Sequence, residues 1–415
     1  SRLARRRFLK VAGAAVAAPF IVPRTAWGAN EHVNAAVIGV GGRGSGLLSG
    51  LLADNDARVL AVCDVDRPRR ESAGSTVRGR YGPASRCGTY NDFREVLERK
   101  DIDAVAIGAP DHLHALMAIS AMQAGKDVYC EKPVSLTISE GRRIVETAKR
   151  YSRVLQAGTQ RRSDPAFRRM CELVRNGRIG QVQRVETGVG TAPGAPMPWR
   201  PEPIPEGFDY DLWLGPAPWA PYCAARCHFN FRYSRDYSGG ALTDNGAHCL
   251  DITQWGLGAE DSGPVEIEGQ GKFFDTGLYN TFYEFHVEYK YAGGTTVVCT
   301  NGPYGQKFIG TEGWISSDRE GQPLSMLKSV IRSNEVHLHE AHGDHLRDFI
   351  WSVQTRGRTA ATAEIGHRSA TVCQLGAIAL ALGRKLRWDP AKEEFSGDEL
   401  ANKMRSRPYR APWRL

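Results

Sequence analysis

Short apolar runs alternate with helical stretches through the first third of the chain. "NAAVIGV" (34–40), "ARVLAVCD" (57–64), "IDAVAIGAP" (102–110), "DVYCEKP" (127–133) and "RVLQAGTQ" (153–160) read as strands. Between them "GSGLLSGLLADN" (44–55), "DFREVLERK" (92–100), "HALMAISAMQAG" (114–125) and "SEGRRIVETAKRYS" (139–152) read as helices. Strands separated by helices imply βαβ units and a parallel, doubly wound sheet. This predicts an N-terminal doubly wound α/β domain over residues 30–158, and a second α/β domain over 159–415. In the second part the pattern changes to period two. "YEFHVEYKYAGGTTVVCTN" (283–301) alternates on both sides of a Gly-Gly turn and predicts a hairpin within a mostly antiparallel sheet. The late helices "DHLRDFIWSVQTRG" (344–357) and "IGHRSATVCQLGAIALALGR" (365–384) are expected to pack on that sheet or on the first domain.

Residues 191–238 hold nine of the 22 prolines and ten of the 37 aromatic residues. A loop of that length is usually functional or disordered. The aromatic content argues for packing, hence a lid or pocket wall, with Trp199, Trp213, Trp219, Tyr222, Tyr233 and Tyr237 either facing the pocket or serving simply as core.

Charge changes the picture only once it is located. The net charge of +8 comes largely from residues 1–30, which hold six basic and no acidic residues. The remainder has 48 basic against 46 acidic residues, so nucleic-acid binding is excluded as a reading. Nine cysteines without CxxC pairs suit buried thiols rather than a zinc site or a disulfide framework.

"RRRFLKVAGAAVAAPFIVP" (5–23) has paired arginines, then an apolar run too short to span a bilayer, for which roughly 20 residues are needed. Residues 1–29 are thus expected to be a twin-arginine-type signal for export of folded protein, giving a periplasmic location without stable membrane insertion. The alternatives are a basic amphipathic arm, or a retained segment that wraps a neighbouring subunit.

Gly39, Gly41 and Gly44 form G-x-G-x-x-G after a strand and at the start of a helix, with Gly42 and Arg43 inside the loop. Asp64 ends the next strand 20 residues beyond Gly44, placed to accept from ribose hydroxyls and to repel a 2′-phosphate. That favours NAD, although Arg67, Arg69 and Arg70 keep NADP open.

Two stretches carry candidate chemistry. In "YCEKP", Lys132 lies between Glu131 and Pro133 at the carboxyl end of a strand, where doubly wound sheets bind ligands; an X-Pro bond there can be cis. In "GGALTDNGAHCLDITQWGLG" (239–258), Asp244 and His248 are four residues apart, with Asp251 a turn further on. They form a general-base pair, a metal set, or simply a helix N-terminus capped by Thr243 or Asp244. "EVHLHEAHGDH" (335–345) gathers His337, His339, His342 and His345 as a substrate loop, a metal loop or exposed histidines before a helix; no metal is expected overall.

The glycine loop, the strand-end acid, "PDHLH" (110–114), "GKDVYCEKP" (125–133) and the D-x-x-x-H pair together resemble the Gfo/Idh/MocA oxidoreductase family from about residue 33 onward. The resemblance implies a Rossmann domain plus an α/β domain whose large open sheet supports a homo-oligomer, dimer or tetramer. It also implies Lys132, Asp244 and His248 as catalytic residues, with His248 as acid/base and Lys132 on the reacting oxygen. Pro110, His114 and Glu131 then fall beside the cofactor. Gln160 and Arg161 of "GTQRR" (158–162) fall beside a carbohydrate substrate; Tyr233, Tyr237 and a histidine of the 337–345 loop such as His345 are further substrate-side candidates, able to supply the extra acid or base that an elimination would need. "DLWLGPAP" (211–218) and "GHRSATV" (366–372) are similar to an exported, sugar-active branch that includes glucose-fructose oxidoreductase and NAD-dependent glycosidases. Asn245 departs from the bulky aromatic residue expected there.

Free NAD is scarce outside the cytoplasmic membrane, so an exported enzyme would hold its cofactor tightly and recycle it in place. The expected activity is oxidation of a sugar or glycoside hydroxyl at C3 or C1. A redox-neutral glycosidase that oxidises, eliminates, hydrates and reduces is the alternative, and a non-catalytic sugar sensor the third reading.

Overall fold

The computed structural model describes residues 32–415; the expected signal segment lies outside the described residues. The first sheet is built from β1 (Val33–Ile38), β2 (Ala57–Cys63), β3 (Gly88–Tyr90), β4 (Ala104–Ile107), β5 (Asp127–Glu131) and β6 (Leu155–Gly158), in the order β3-β2-β1-β4-β5-β6. All its pairings are parallel. Helices α1 (Gly42–Ala53), α2 (Arg67–Tyr81), α3 (Phe93–Glu98), α4 (Asp111–Gln123) and α5 (Ile138–Arg150) make the crossovers. Strand order reverses between β1 and β4, which opens a crevice at the carboxyl ends of those two strands.

The second domain begins with α6 (Pro165–Arg175), β7 (Val182–Gly188), α7 (Tyr210–Leu214) and α8 (Asn245–Leu257). Its sheet continues through β8 (Glu266–Phe273), β9 (Phe282–Lys290), β10 (Thr296–Thr300), β11 (Gly305–Gly310), β12 (Trp314–Ser316) and β13 (Gly321–Gln322). After α9 (Leu324–Leu327), α10 (His345–Thr355) and α11 (Ala363–Leu382), the chain ends with β14 (Leu386–Asp389), β15 (Glu394–Phe395) and α12 (Glu399–Lys403). The nine strands form an open sheet ordered β13-β12-β11-β7-β10-β9-β8-β14-β15. β10 runs parallel to β7 and every other pairing is antiparallel. The Gly-Gly hairpin is the β9–β10 pair, with Thr296 opposite Lys290. Buried residues on one face, such as Phe285, Val287 and Tyr289, pack against α8 and α11.

α10 returns to the first domain: Phe349, Ile350 and Val353 pack with Ala35, Val37 and Leu51. α11 enters both cores, with Ile365 and Ala370 in the first and Val372, Leu375 and Ile378 in the second. Arg162, after β6, is buried against Asp251 of α8 (Nε to Oδ2, 2.8 Å) and Glu260 (Nη1 to Oε1, 2.6 Å). All nine cysteines are unpaired, and every one except Cys87 is buried. Among the described residues no helix is long and apolar enough to cross a membrane.

Within the first domain two elements depart from the sequence reading. β3 is a short edge strand, so "IDAVAIGAP" supplies the fourth strand rather than the third. α2 fills "RPRRESAGSTVRGRY", for which the pattern gave no element; its buried face is only Ala73, Gly74 and Val77.

Candidate active site

A cavity of about 830 Å³ opens at the β1/β4 reversal and is walled on its far side by the 191–238 loop and the start of α8. Gly39, Gly41, Gly42, Arg43, Asp64, Pro110, His114, Glu131, Lys132, Gln160, Tyr233, Asp244 and His248 all line it.

The glycines act by closeness. Gly39 has φ +78°, and a Cβ there would lie 2.7 Å from the Ala109 nitrogen. A Cβ on Gly44 would lie 1.7 Å from the Gly39 carbonyl oxygen, so Gly44 sets the approach of α1 to β1 rather than lining the cavity. Gly42 has nothing within 4 Å of a would-be Cβ, leaving open space above the first turn of α1. Helix N-termini of this kind hold phosphates. Asp64 accepts from the Val40 nitrogen (2.8 Å) and the Asp66 nitrogen (2.9 Å), which fixes its carboxylate at the crevice. These residues fit a dinucleotide: open glycine cradle, helix N-terminus, and an oriented acid where a ribose would lie.

Of the neighbouring arginines, Arg67 pairs with Glu206 at 2.9 Å. Arg70 donates to the Asp64 carbonyl (2.6 Å) and to Asn91 (3.0 Å). Arg69 lines the cavity, 3.4 Å from Asp66. A polar chain runs across the floor: Arg43 Nε donates to Glu131 Oε1 (2.6 Å), and Gln160 Nε2 donates to the same oxygen (2.9 Å) and to Tyr129 (2.8 Å).

Lys132 leaves the end of β5 and its ammonium donates to the Asp244 carboxylate and, at 3.1 Å, to the Asp244 carbonyl. The Lys132–Pro133 bond is cis. His114 is buried with Nδ1 2.7 Å from the Pro133 carbonyl and Nε2 2.8 Å from the Ala109 carbonyl, so it braces the turn behind Lys132. Asp244 sits at the N-cap of α8 without a side-chain capping bond, which frees its carboxylate for Lys132 and for Arg232 (Nε to Oδ2, 3.1 Å). Burial alone would raise the Asp244 pKa, but Lys132 and Arg232 outweigh it and hold the carboxyl below its ordinary value. Burial, then the charges of Lys132 and Arg161, push His248 down to about 3. At neutral pH His248 is therefore a neutral imidazole beside the Asp244 carboxylate, its basicity below the near-neutral value that best suits a general base.

Several sequence expectations land elsewhere. Tyr237 is fully buried, its ring 4.9 Å from that of Trp213 and 5.0 Å from that of His112; it is core, not cavity wall. His345 is buried under α10, with Nε2 2.8 Å from the Ala157 carbonyl and Nδ1 2.7 Å from the Ser163 hydroxyl, away from the cavity lining. Arg161 stacks on Tyr304 (4.3 Å) and approaches Cys249 (3.7 Å), acting on His248 through charge and not through the lining. Asp251 is taken by Arg162 and is no partner of Asp244. Asn245 lines the cavity and donates to the Val189 carbonyl at 2.9 Å.

Other lining residues were not named individually from the sequence, although they lie in segments that it marked. Arg232 bridges to Asp244. Phe208, Phe229 and Phe231 join Trp213 and Tyr233 along the wall. Asp111, opening α4, is buried, accepts from Ser238 Oγ at 2.6 Å and is pushed up to about 7 by burial. A Pro-Asp pair ahead of an apolar helix was the available clue, and it marks a helix start equally well.

Comparison with known proteins identifies the family and its two domains. Residues 33–159 match the NAD-binding Rossmann fold of the oxidoreductase family, and residues 195–415 match that family's C-terminal alpha/beta domain. Inositol 2-dehydrogenase from Salmonella typhimurium is 30% identical over 182 residues, 43% of this chain and 52% of that protein. A glycosyl hydrolase family 109 protein from Stenotrophomonas maltophilia is 34% identical over 197 residues, 44% of this chain and 41% of that protein. The chain thus matches about half the length of these curated relatives. In three dimensions it superposes on the aldose-aldose oxidoreductase from Caulobacter crescentus with a TM-score of 0.64, at 18% identity, over 86% of this chain and 99% of that one. With both of its domains matched in sequence, the chain belongs to the Gfo/Idh/MocA family of NAD-binding oxidoreductases.

Proposed function

We propose that the protein is an NAD-dependent oxidoreductase acting on a hydroxyl of a sugar or glycoside, at C3 or C1, with a cofactor that stays bound and is recycled in place. The observation that carries this reading is the Lys132–Asp244–His248 cluster on the wall of a cavity that also contains the glycine cradle and Asp64. Gly39, Gly41, Gly42, Arg43 and Asp64 would hold the dinucleotide, which when bound supplies a hydride acceptor. NAD is favoured over NADP because the Asp64 carboxylate faces the crevice and Arg67 and Arg70 are engaged elsewhere, which leaves Arg69, paired with Asp66, as the one of the three arginines on the cavity lining. Neutral His248 accepts the hydroxyl proton. Lys132 donates a hydrogen bond to the same oxygen, and Asp244 holds the ammonium in place. Trp213, Phe229 and Tyr233 offer apolar faces to a pyranose ring. Export in folded form, as the twin-arginine pattern at residues 5–10 suggests, would let the chain carry its cofactor out and makes in-place recycling necessary.

One observation favours a redox-neutral glycosidase as the second reading. Asp111, a carboxyl raised to about 7 on the cavity wall, has the protonation behaviour that an added acid for leaving-group departure requires. The glycosyl hydrolase family 109 relative points the same way.

The test uses protein as purified, without added nicotinamide or acceptor, mixed with nitrophenyl glycosides. A single stoichiometric rise in reduced-nicotinamide absorbance, relieved by a keto-sugar, is the expected outcome. Aglycone release over many turnovers without lasting reduction would establish the glycosidase instead. His248→Ala should abolish either activity; unchanged turnover would sink the assignment.

A further inference from the structure

Away from the cavity, the histidine-rich stretch before α10 folds so that His339, His342 and Asp348 converge. One ligand atom from each lies within 4.8 Å of the others. Asp348 Oδ1 is 3.5 Å from His339 Nε2 and 3.4 Å from His342 Nδ1. Both separations are long for hydrogen bonds between charged or neutral partners. They suit groups that share one cation: ligands bound at about 2.0–2.1 Å around a tetrahedral ion sit about 3.3–3.4 Å apart.

The surroundings are built in the manner of a ligand shell. Asp348 is completely buried on the first turn of α10, and among the described residues no lysine or arginine pairs with it. Its Oδ2 accepts from the Ala360 nitrogen at 2.8 Å and Oδ1 from the His342 nitrogen at 2.9 Å, so the carboxylate is oriented by backbone. The His342 ring lies flat on Trp351, centroids 3.4 Å apart and planes within 8°. His339 Nε2 is buried without a hydrogen-bond partner, although it faces that carboxylate. The imidazole of His342 is partly exposed, so the remaining coordination positions open to solvent.

We propose that His339, His342 and Asp348 form a divalent-cation site of the zinc class, three protein ligands with an open position. Two imidazoles and one carboxylate suit Zn²⁺, and Co²⁺ as its spectroscopic substitute, rather than Mg²⁺ or Ca²⁺, which prefer oxygen ligands throughout. The flanking chain is anchored on α6 of the second domain, where the Leu338 nitrogen donates to Glu172 at 3.0 Å. Asp348 belongs to the helix packed on the first domain. A bound ion thus ties the two domains together outside the cavity lining, and its role is structural. Neither His337, whose Nε2 faces the Arg332 carbonyl at 2.9 Å, nor His345 contributes.

The test titrates chelator-treated full-length protein with ZnCl₂ by calorimetry and with CoCl₂ by visible absorption. One equivalent should bind, with the ligand-field bands of tetrahedral Co²⁺ and a rise in unfolding temperature. His339→Ala and His342→Ala, both on a surface loop, should lower affinity at least tenfold and remove the temperature shift. His337→Ala should change neither. His248→Ala, which removes the imidazole of the catalytic cluster, should leave the stoichiometry at one. Absence of stoichiometric binding, or loss of it in His248→Ala instead of in the two loop variants, would overturn the site.

Discussion

Replacing Asp244 by Asn keeps the side chain's shape and removes its charge. The wild-type carboxylate accepts from Lys132 and Arg232, and only about a quarter of its side chain is exposed (24%). The amide offers one oxygen to these two cations, and its NH₂ group faces one of them as a donor. At least one charge-assisted hydrogen bond is lost, worth about 1.5–3 kcal/mol. If Lys132 is held for the transition state by that bond, the same energy appears in the barrier as about a 10- to 150-fold fall in the single-turnover rate of nicotinamide reduction. His248 should remain neutral, because burial, its largest influence, is unchanged. The assay follows reduced-nicotinamide absorbance at saturating sugar, alongside bound-nicotinamide content and thermal unfolding. A D244N enzyme with normal cofactor content and a single-turnover reduction rate within about threefold of wild type would refute the role given to this carboxylate.

Other predictions rest on separate parts of the molecule. Asp111→Asn removes a group whose folded pKa, about 7, stands above its ordinary value of 3.8. The unfolded chain releases that proton first, so wild-type stability falls between about pH 4 and 7, and D111N should gain unfolding temperature over wild type at pH 8 more than at pH 5. An equal gain at both would contradict the raised pKa. Gly44→Ala places a methyl 1.7 Å from the Gly39 oxygen, so the purified variant should contain little extractable nicotinamide; full retention would show that the loop tolerates displacement. Asp251→Asn leaves the buried Arg162 with Glu260 alone and should cost about 3–5 kcal/mol in urea unfolding. A loss under about 1 kcal/mol would mean that the neighbouring groups compensate.

The first domain was legible because its strands are apolar runs bounded by turns, and because glycine spacing and Asp64 have few other uses. α2 was not, since a helix that buries two small residues and a valine carries no apolar stripe. β3, with no fully buried residue, escaped for the same reason. Lys132 and His248 were readable from motif context, whereas Arg232 was not: its tie to Asp244 depends on how a turn within the aromatic loop folds back. Tyr237 and His345 show the converse limit. A loop rich in aromatics must bury some of them to hold its shape, and a histidine on the inward side of a helix can be satisfied by a carbonyl and a hydroxyl. Neither outcome is encoded in residue type. Asp251 lies three residues beyond His248, yet the partner it meets is Arg162, from a segment 89 residues earlier.

The twenty-residue helix α11 has one end in each hydrophobic core. Melting either domain would strip one end of that rod of its packing while the other end stayed buried, and a helix cannot easily be cut midway. The two halves therefore share a single cooperative unit, and heating should give one calorimetric transition rather than two. The same rod resists hinge bending between the halves. The 191–238 loop walls the cavity and, unlike the rod, is tied to no second core, so it is the wall whose movement would admit a ligand.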